Sequence, residues 1–397
     1  MRLLKFDSFH PLSFLAAKQA ADRNAIRGMN YQQYYDWLMG LKSNLSDYLT
    51  RPMNNSGWVA REVIGRDDVM IEKMVKSGEI RGVGSAFEMK NLGRHFVACP
   101  LAEVVRGRWL EGYKEKRRHL ILRRYIETFR PDVIFIREPC HLDSRIFERY
   151  RDRVLIVGMI GCNTNHANHW SEHRHDMIFS FTHPYVEFFR AQGIESHLFE
   201  YGVDEQIIKE MGDLPKKYDC SFVGYLGSAH QSKKTAMMEA IASKCDFHWW
   251  GPAGGQLSGF PALQRAYQGE TAGIDMLKIY RQSSIVVNDY VDTAQGLNVN
   301  LRTKEVLSVG SFLLTRYAEN IADLEKEGAL ATFRDTEECV AKIRYFLGKQ
   351  KEREEIARKG NKVARERFNY RDIASRLMER IQRAYDAKKS KLREWET

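Results

Sequence analysis

Short runs of β-branched and aromatic residues alternate with longer stretches of helical period along most of the chain. That rhythm predicts an α/β protein built on parallel sheets. Ile134-Phe135-Ile136, Val154 to Ile160 and Met177 to Phe181 each read as a buried strand. After the third, Thr182 or His183 is placed to cap a helix with Pro184 at its first position and Gly193 at its end. A polar segment ending in Lys216-Lys217 interrupts the pattern, which restarts at Cys220-Ser221-Phe222-Val223-Gly224. Further strands are predicted at Phe247 to Trp250, Ile285 to Asn288 and Phe312 to Thr315, each separated by a helical segment, so the second half reads as a second doubly wound unit. Asp335-Thr336-Glu337-Glu338 has the form of a capping box and is followed by Val340, Ile343 and Leu347 on one helical face. The first hundred residues read only as helix-rich, with aromatics crowded from Tyr31 to Trp37.

Length changes this picture little. At roughly 150 residues per domain, 397 residues give two to three domains with ample core. Hydrophobic residues at 43% and charged residues at 29% exclude a disordered or collagenous chain. The formal charge of +10 favours anionic partners without choosing among nucleotide, nucleic acid and an acidic membrane face. The stretch Met1 to Lys18 is broken by Asp7, His10 and Pro11 and does not read as a secretory signal, and no window is apolar enough to span a membrane. Cys99, Cys140, Cys162, Cys220, Cys245 and Cys339 are scattered and read as reduced thiols of a cytoplasmic protein.

Candidate chemistry gathers at strand ends. Phe222 to Lys234 runs from an apolar strand through Gly224 and Gly227 into a helix start with Ser228, His230, Lys233 and Lys234. Such a turn suits a diphosphate, because glycines admit close backbone approach and amides and ammonium groups meet the anion; an ordinary strand-to-helix turn reads the same way. Asn298, Asn300, Arg302 and Glu305 form a second group, in which Arg302 and Glu305 stand three apart on a helix. A carboxylate there can accept from a ribose diol while the guanidinium forks onto phosphate, and a surface ion pair is the alternative. His166, His169, His173 and His175 form a third group, with zinc-compatible spacing at His169 and His173. The better use of that loop is His166 or Asn163 on a sugar hydroxyl beyond a strand end, with the remaining histidines at the surface. Glu138, after Arg137, offers a carboxylate to the same cleft or a loop ion pair. No D-x-D clamp for a divalent ion occurs.

Taken together, the F-V-G-x-x-G-x-x-H turn at Phe222 to His230, Trp250-Gly251-Pro252, Tyr280 to Asn288, Asn300 to Thr315 and Phe333 to Glu338 resemble, in order, the group 1 glycosyltransferases of the GT-B type. The nearest likeness is to the spore-maturation-protein-like (CgeB-like) branch, over roughly residues 175 to 385. The resemblance implies an α/β fold of two Rossmann-like domains facing a central cleft. The expected organisation is an acceptor-side domain over 1–203, a nucleotide-sugar-binding domain over 204–375, and a basic helix over 376–397 packing back on the first domain.

By the family pattern, Glu305 holds the donor ribose, Arg302, Lys233 and Lys234 the diphosphate, and Asn298 and Asn300 the neighbouring loop. Leu297 stands where many retaining relatives carry a second glutamate, and Lys304 replaces the more usual aromatic. The implied activity is transfer of a sugar from a UDP- or GDP-linked donor to a saccharide, lipid-linked or small-molecule acceptor, with no metal or other cofactor and with retention. An inverting route would draw its base from Glu138 or His166. The alternative is a non-catalytic nucleotide-sugar-binding or surface-layer assembly protein. Nucleic acid is not expected as a partner, since the basic residues are interspersed with acidic ones. Arg106 to Arg124 and Lys388 to Arg393 read first as a solvated face, with an anionic membrane at its inner face as the alternative if the acceptor is lipid-linked.

Overall fold

The structure is a computed structural model and describes residues 1–9, 11–43, 46–80, 100–137, 142, 145–160, 175–227, 232–252, 255–290 and 300–395. Its framework is two parallel sheets, each requiring helical crossovers between neighbouring strands. The first contains β1 (Arg2–Asp7), β2 (Val59–Ile64), β3 (Val133–Arg137), β4 (Leu155–Ile160), β5 (Met177–Ser180) and β6 (Glu195–Leu198), in the order β2-β1-β3-β4-β5-β6. The second contains β7 (Tyr218–Val223), β8 (Phe247–Trp250), β9 (Ser283–Asn288), β10 (Leu313–Arg316) and β11 (Ala331–Phe333), in the order β11-β10-β9-β7-β8. All seven strands expected from the apolar runs are present within two residues of their expected limits.

The unexpected strands are β1, β2, β6 and β11. Of these, β1 breaks its apolar pattern with Lys5 and Asp7, both buried. Lys5 Nζ lies 2.7 Å from Glu62 Oε2 on β2 and 2.9 Å from Asp7 Oδ2, and Arg137 Nη1 on β3 reaches Asp7 Oδ1 at 2.7 Å. Burial opposes charge on Lys5, but Asp7 and Glu62 outweigh it and hold the ammonium above its ordinary pKa. The charged positions that hide this strand in the sequence are therefore satisfied between strands.

Helix ends follow their sequence signals. The helix His183–Ala191 has Thr182 at its cap position, proline in its first turn, and Gly193 beyond it at φ +76°. Asp335 accepts from the amide of Glu338, while the Glu338 carboxylate reaches one residue past the usual partner, to the amide of Arg334. Cys220 and Cys339 are buried free thiols and Cys245 is half-buried; the other three cysteines lie outside the described residues. No helix among the described residues is long and apolar enough to cross a membrane.

The two sheet units meet through backbone. Gly273 has φ +56°, and a Cβ there would lie 2.0 Å from the carbonyl oxygen of Leu41. That contact requires glycine, and it lets the amide of Ile274 donate to the same oxygen at 3.1 Å. Lys18 pairs with Asp275 at 2.7 Å beside it. On the other flank, Val203 exchanges backbone hydrogen bonds with Phe368 and Tyr370. The helix Tyr370–Lys389 then crosses to the first unit. Lys388 Nζ binds the carbonyls of Arg151 and Val154 and the Asp176 carboxylate, Arg393 pairs with Asp152, and Trp395 packs on Tyr150. These contacts give Lys388 and Arg393 partners within the protein.

Replacing Lys5 by Met leaves Glu62 and Asp7 buried without their shared cation. Breaking such a pair from one side costs about 3–5 kcal/mol. The Lys5→Met chain is expected to lose about 5–15 °C in the first thermal unfolding transition, read by circular dichroism.

Candidate functional site

The site is built where β7, β9 and β10 end, because a parallel sheet leaves its carboxyl edge open for ligands. Asn288 closes β9 and is fully buried. Its amide nitrogen donates to Thr315 Oγ1 on β10 at 2.9 Å. Its carbonyl oxygen accepts from Asn300 Nδ2 at 2.9 Å and from Arg302 Nη1 at 2.6 Å. This one side chain therefore fixes both the loop residue and the first residue of the helix Arg302–Ser308.

Arg302 folds back over the end of β7. Its guanidinium carbon sits 4.7 Å from the centre of the Phe222 ring, within cation–π range. A Cβ on Gly224 would meet Arg302 Nη2 at 2.6 Å, so the glycine of the expected turn makes room for the guanidinium. Arg302 Nε is buried without a hydrogen-bond partner among the described residues. Lys234 approaches the same ring, with Nζ 5.9 Å from its centre, and is only 4% exposed. Its neighbour Lys233 is exposed. The sequence treats the two lysines alike; helical geometry turns only Lys234 toward the strand ends.

Arg302 and Glu305 form no ion pair, although Glu305 feels the charge of Arg302. Glu305 is half-buried and faces the seam between the units, where Tyr48, Gly202, Tyr370, Leu301 and Ser308 enclose about 30 Å³. That space admits water but not a pentose. Burial lifts the Glu305 carboxyl to about 7, against the pull of Arg302. The expected joint grip by this pair is thus divided in the structure: the guanidinium faces the strand ends and the carboxylate faces the seam.

On the opposite side of the same helix, a cavity of about 220 Å³ opens between Asn300, Thr303 and Lys304 and the ends of β5 and β6. Phe181 and Tyr201 stack on each other in its wall at 4.2 Å. Lys304 Nζ lies over the Phe368 ring at 3.1 Å from its centre, and burial lowers its pKa to about 8 against the attraction of Glu200. Lys304 therefore packs its charge onto an aromatic supplied from another part of the chain.

Gly227 follows β7 with φ +81°, and its amide donates to Thr235 Oγ1 at 3.1 Å. Ser228, His230, Asn298, Glu138, His166, His169 and His173 lie outside the described residues, as does Asn163. His175, expected at the surface, is instead 6% exposed and packs against Gly158 of β4, where a Cβ would meet its ring at 2.8 Å. Asn288 was not foreseen as a site residue. Its signal is a lone amide closing the apolar run Ile285-Val286-Val287.

Residues 233–379 match the family model described as glycosyl transferase-like. Among solved structures, the chain is similar over 98% of its length to sucrose-phosphate synthase from Thermosynechococcus elongatus, covering all of that chain at 9% identity and a TM-score of 0.54. It is also similar to AviGT4, a glycosyltransferase involved in avilamycin A biosynthesis, over 98% of both chains at 12% identity and a TM-score of 0.51. The fold is GT-B. No curated protein sequence matches the chain. In GT-B terms, the cluster around Asn288 and Arg302 stands at the carboxyl edge of the second Rossmann-like unit, and the 220 Å³ cavity stands between the two units.

Because Glu305 titrates near 7 when folded, the folded chain holds its proton over the interval from the ordinary carboxylate pKa of 4.5 up to 7, where the unfolded chain has lost it. Stability therefore falls as pH rises through that window. Glu305→Gln removes the loss: its melting temperature is expected to match wild type at pH 4.5 and to exceed it by about 1–3 °C at pH 8, measured by scanning calorimetry.

Proposed function

We propose that this protein is a glycosyltransferase that moves a sugar from a nucleoside diphosphate sugar to an acceptor hydroxyl, with retention and without a divalent metal. By motif order it stands nearest the spore-maturation-protein-like branch of group 1. The observation that carries this reading is Arg302, a half-buried guanidinium held by a neutral amide, with its buried Nε unpartnered among the described residues, beside Lys234 at the strand ends. The match of residues 233–379 to the glycosyl transferase-like model and the fold shared with a sucrose-phosphate synthase and with AviGT4 support it.

In this reading the diphosphate lies against Arg302 and Lys234. As the bond from the sugar's anomeric carbon to the diphosphate oxygen breaks, negative charge grows on the leaving group. A guanidinium and an ammonium fixed in place stabilise that charge without reorganising. The acceptor oxygen bonds to the anomeric carbon on the face that the diphosphate leaves, and its proton passes to a leaving-group oxygen. The acceptor enters through the cavity walled by Phe181 and Tyr201. Glu305 meets the ribose only when the seam at Tyr48 and Tyr370 widens, which makes donor binding and relative motion of the two units one event.

The purified chain is expected to release nucleoside diphosphate from at least one member of a panel of UDP- and GDP-sugars. Arg302→Gln is expected to slow that release by about 100-fold or more. The anomeric configuration of the product, read by NMR, is expected to match that of the donor. Nucleotide binding without any turnover would point instead to a non-catalytic binding protein.

A further inference from the structure

A second concave surface lies at the other end of the second sheet, where β7, β9 and β10 begin. It encloses about 510 Å³, within the range of small-molecule sites. One wall is a single face of the helix Gln350–Arg367, carrying Arg353, Glu354, Arg358 and Asn361 over successive turns. The facing wall brings Lys216, just before β7, and Arg281, at the end of the helix Gly273–Gln282.

The cations of this groove are left largely without carboxylates. Lys216 Nζ is held by two backbone carbonyls, those of Arg281 and Ser283, at 2.8 Å each. Arg353 Nη1 donates to the carbonyls of Phe346 and Leu347. Arg358 makes no hydrogen bond or ion pair among the described residues and is exposed. Arg281 alone has a carboxylate, the fully exposed Asp213 at 2.8 Å. Glu354 is the one acid in the lining, and it accepts from Gln350 at 2.8 Å. Three cations elsewhere on the same helix have carboxylates: Lys359 pairs with Glu355 at 3.1 Å, Lys362 with Glu366 at 3.9 Å, and Arg367 with Glu327 at 2.8 Å. The groove face thus gathers Lys216, Arg353 and Arg358, none of which has a carboxylate partner among the described residues.

We propose that this groove binds a phosphate-bearing small molecule, with Lys216, Arg353 and Arg358 meeting the phosphate and Arg281 closing one side. The first turn of an eighteen-residue helix points the same way and adds its positive dipole end. The partial cover over the Lys216 ammonium, together with Arg281 and Arg353, lowers its pKa to about 8, with Glu354 opposing. Asp219 is the remaining acid within reach, and it acts on Arg353. A bound dianion reverses that balance at Lys216 and draws a proton onto it. Arg281 and Asn361 also hold the carbonyls of Leu307, Ser308 and Val309, so the ligand abuts the far end of the helix whose first turn carries Arg302.

Titration calorimetry of the full chain with inorganic phosphate tests the proposal. Phosphate is expected to keep its groove affinity in Arg302→Gln, which removes only the contact at the strand ends, and to bind Arg358→Gln at least about tenfold more weakly, as befits loss of one charge-assisted contact. Inorganic sulfate, which does not titrate near neutrality, is expected at pH 8 to bind with uptake of about half a proton by wild type and none by Lys216→Gln. Equal affinity of wild type and Arg358→Gln, or a loss confined to Arg302→Gln, overturns the proposal. So does flotation with phosphatidylcholine vesicles containing phosphatidic acid when inorganic phosphate does not bind, since the groove then reads a membrane and not a soluble ligand.

Discussion

A guanidinium drawn into the carboxyl edge of a parallel sheet needs acceptors, and the acceptor chosen decides what the site can do. Arg302 is met by the amide oxygen of Asn288, not by a carboxylate. Nearby, Arg316 is matched by Asp289 at 2.8 Å, and in the first unit Arg137 is matched by Asp7 at 2.7 Å. Those two cations are neutralised and serve the fold. Arg302 is oriented by a neutral amide and is not neutralised by it. Much of the local arrangement answers to this one contact: Gly224 clears space for the guanidinium, Phe222 supplies a face for it, and Asn300 and Thr315 complete the hydrogen bonds of the buried amide.

The helix Arg302–Ser308 is then a junction of three environments. Its first turn meets the strand ends, Glu305 looks into the seam between units, and Thr303 and Lys304 line the larger cavity. Its last carbonyls are held by Arg281 and Asn361 from the basic groove behind. Seven residues therefore touch the strand ends, the inter-unit contact and the rear face together. The raised pKa of Glu305 belongs to the same arrangement: the closed seam disfavours its charge, and hydroxyl donors entering the seam would favour it.

The central strands of both sheets were legible in the sequence because strands buried on both faces are continuous apolar runs. The strands that escaped notice are explained by physics that such runs do not record. In β1, Lys5 and Asp7 are buried but paired with Glu62 and Arg137 from neighbouring strands, a partnership between residues far apart in sequence. β6 and β11 are short edge strands with weak signals. At the site, the residue types at Arg302, Glu305, Lys234 and Gly224 were readable, but the direction of each side chain was not. Spacing placed Arg302 and Glu305 on one helix end, and only tertiary packing turned them to different neighbours. Asn288 ended an apolar strand in plain view, but its role appears only once Arg302 folds back upon it.

In the proposed reaction, Arg302 carries uncompensated charge that an anionic donor completes. A crystal structure of the chain soaked with uridine diphosphate tests this most directly. The expected result is a diphosphate oxygen within hydrogen-bond distance of Arg302 Nε and another near Lys234 Nζ, with the Asn288 contact retained. A diphosphate ordered elsewhere in the cleft, with Arg302 Nε still unpartnered, would contradict it.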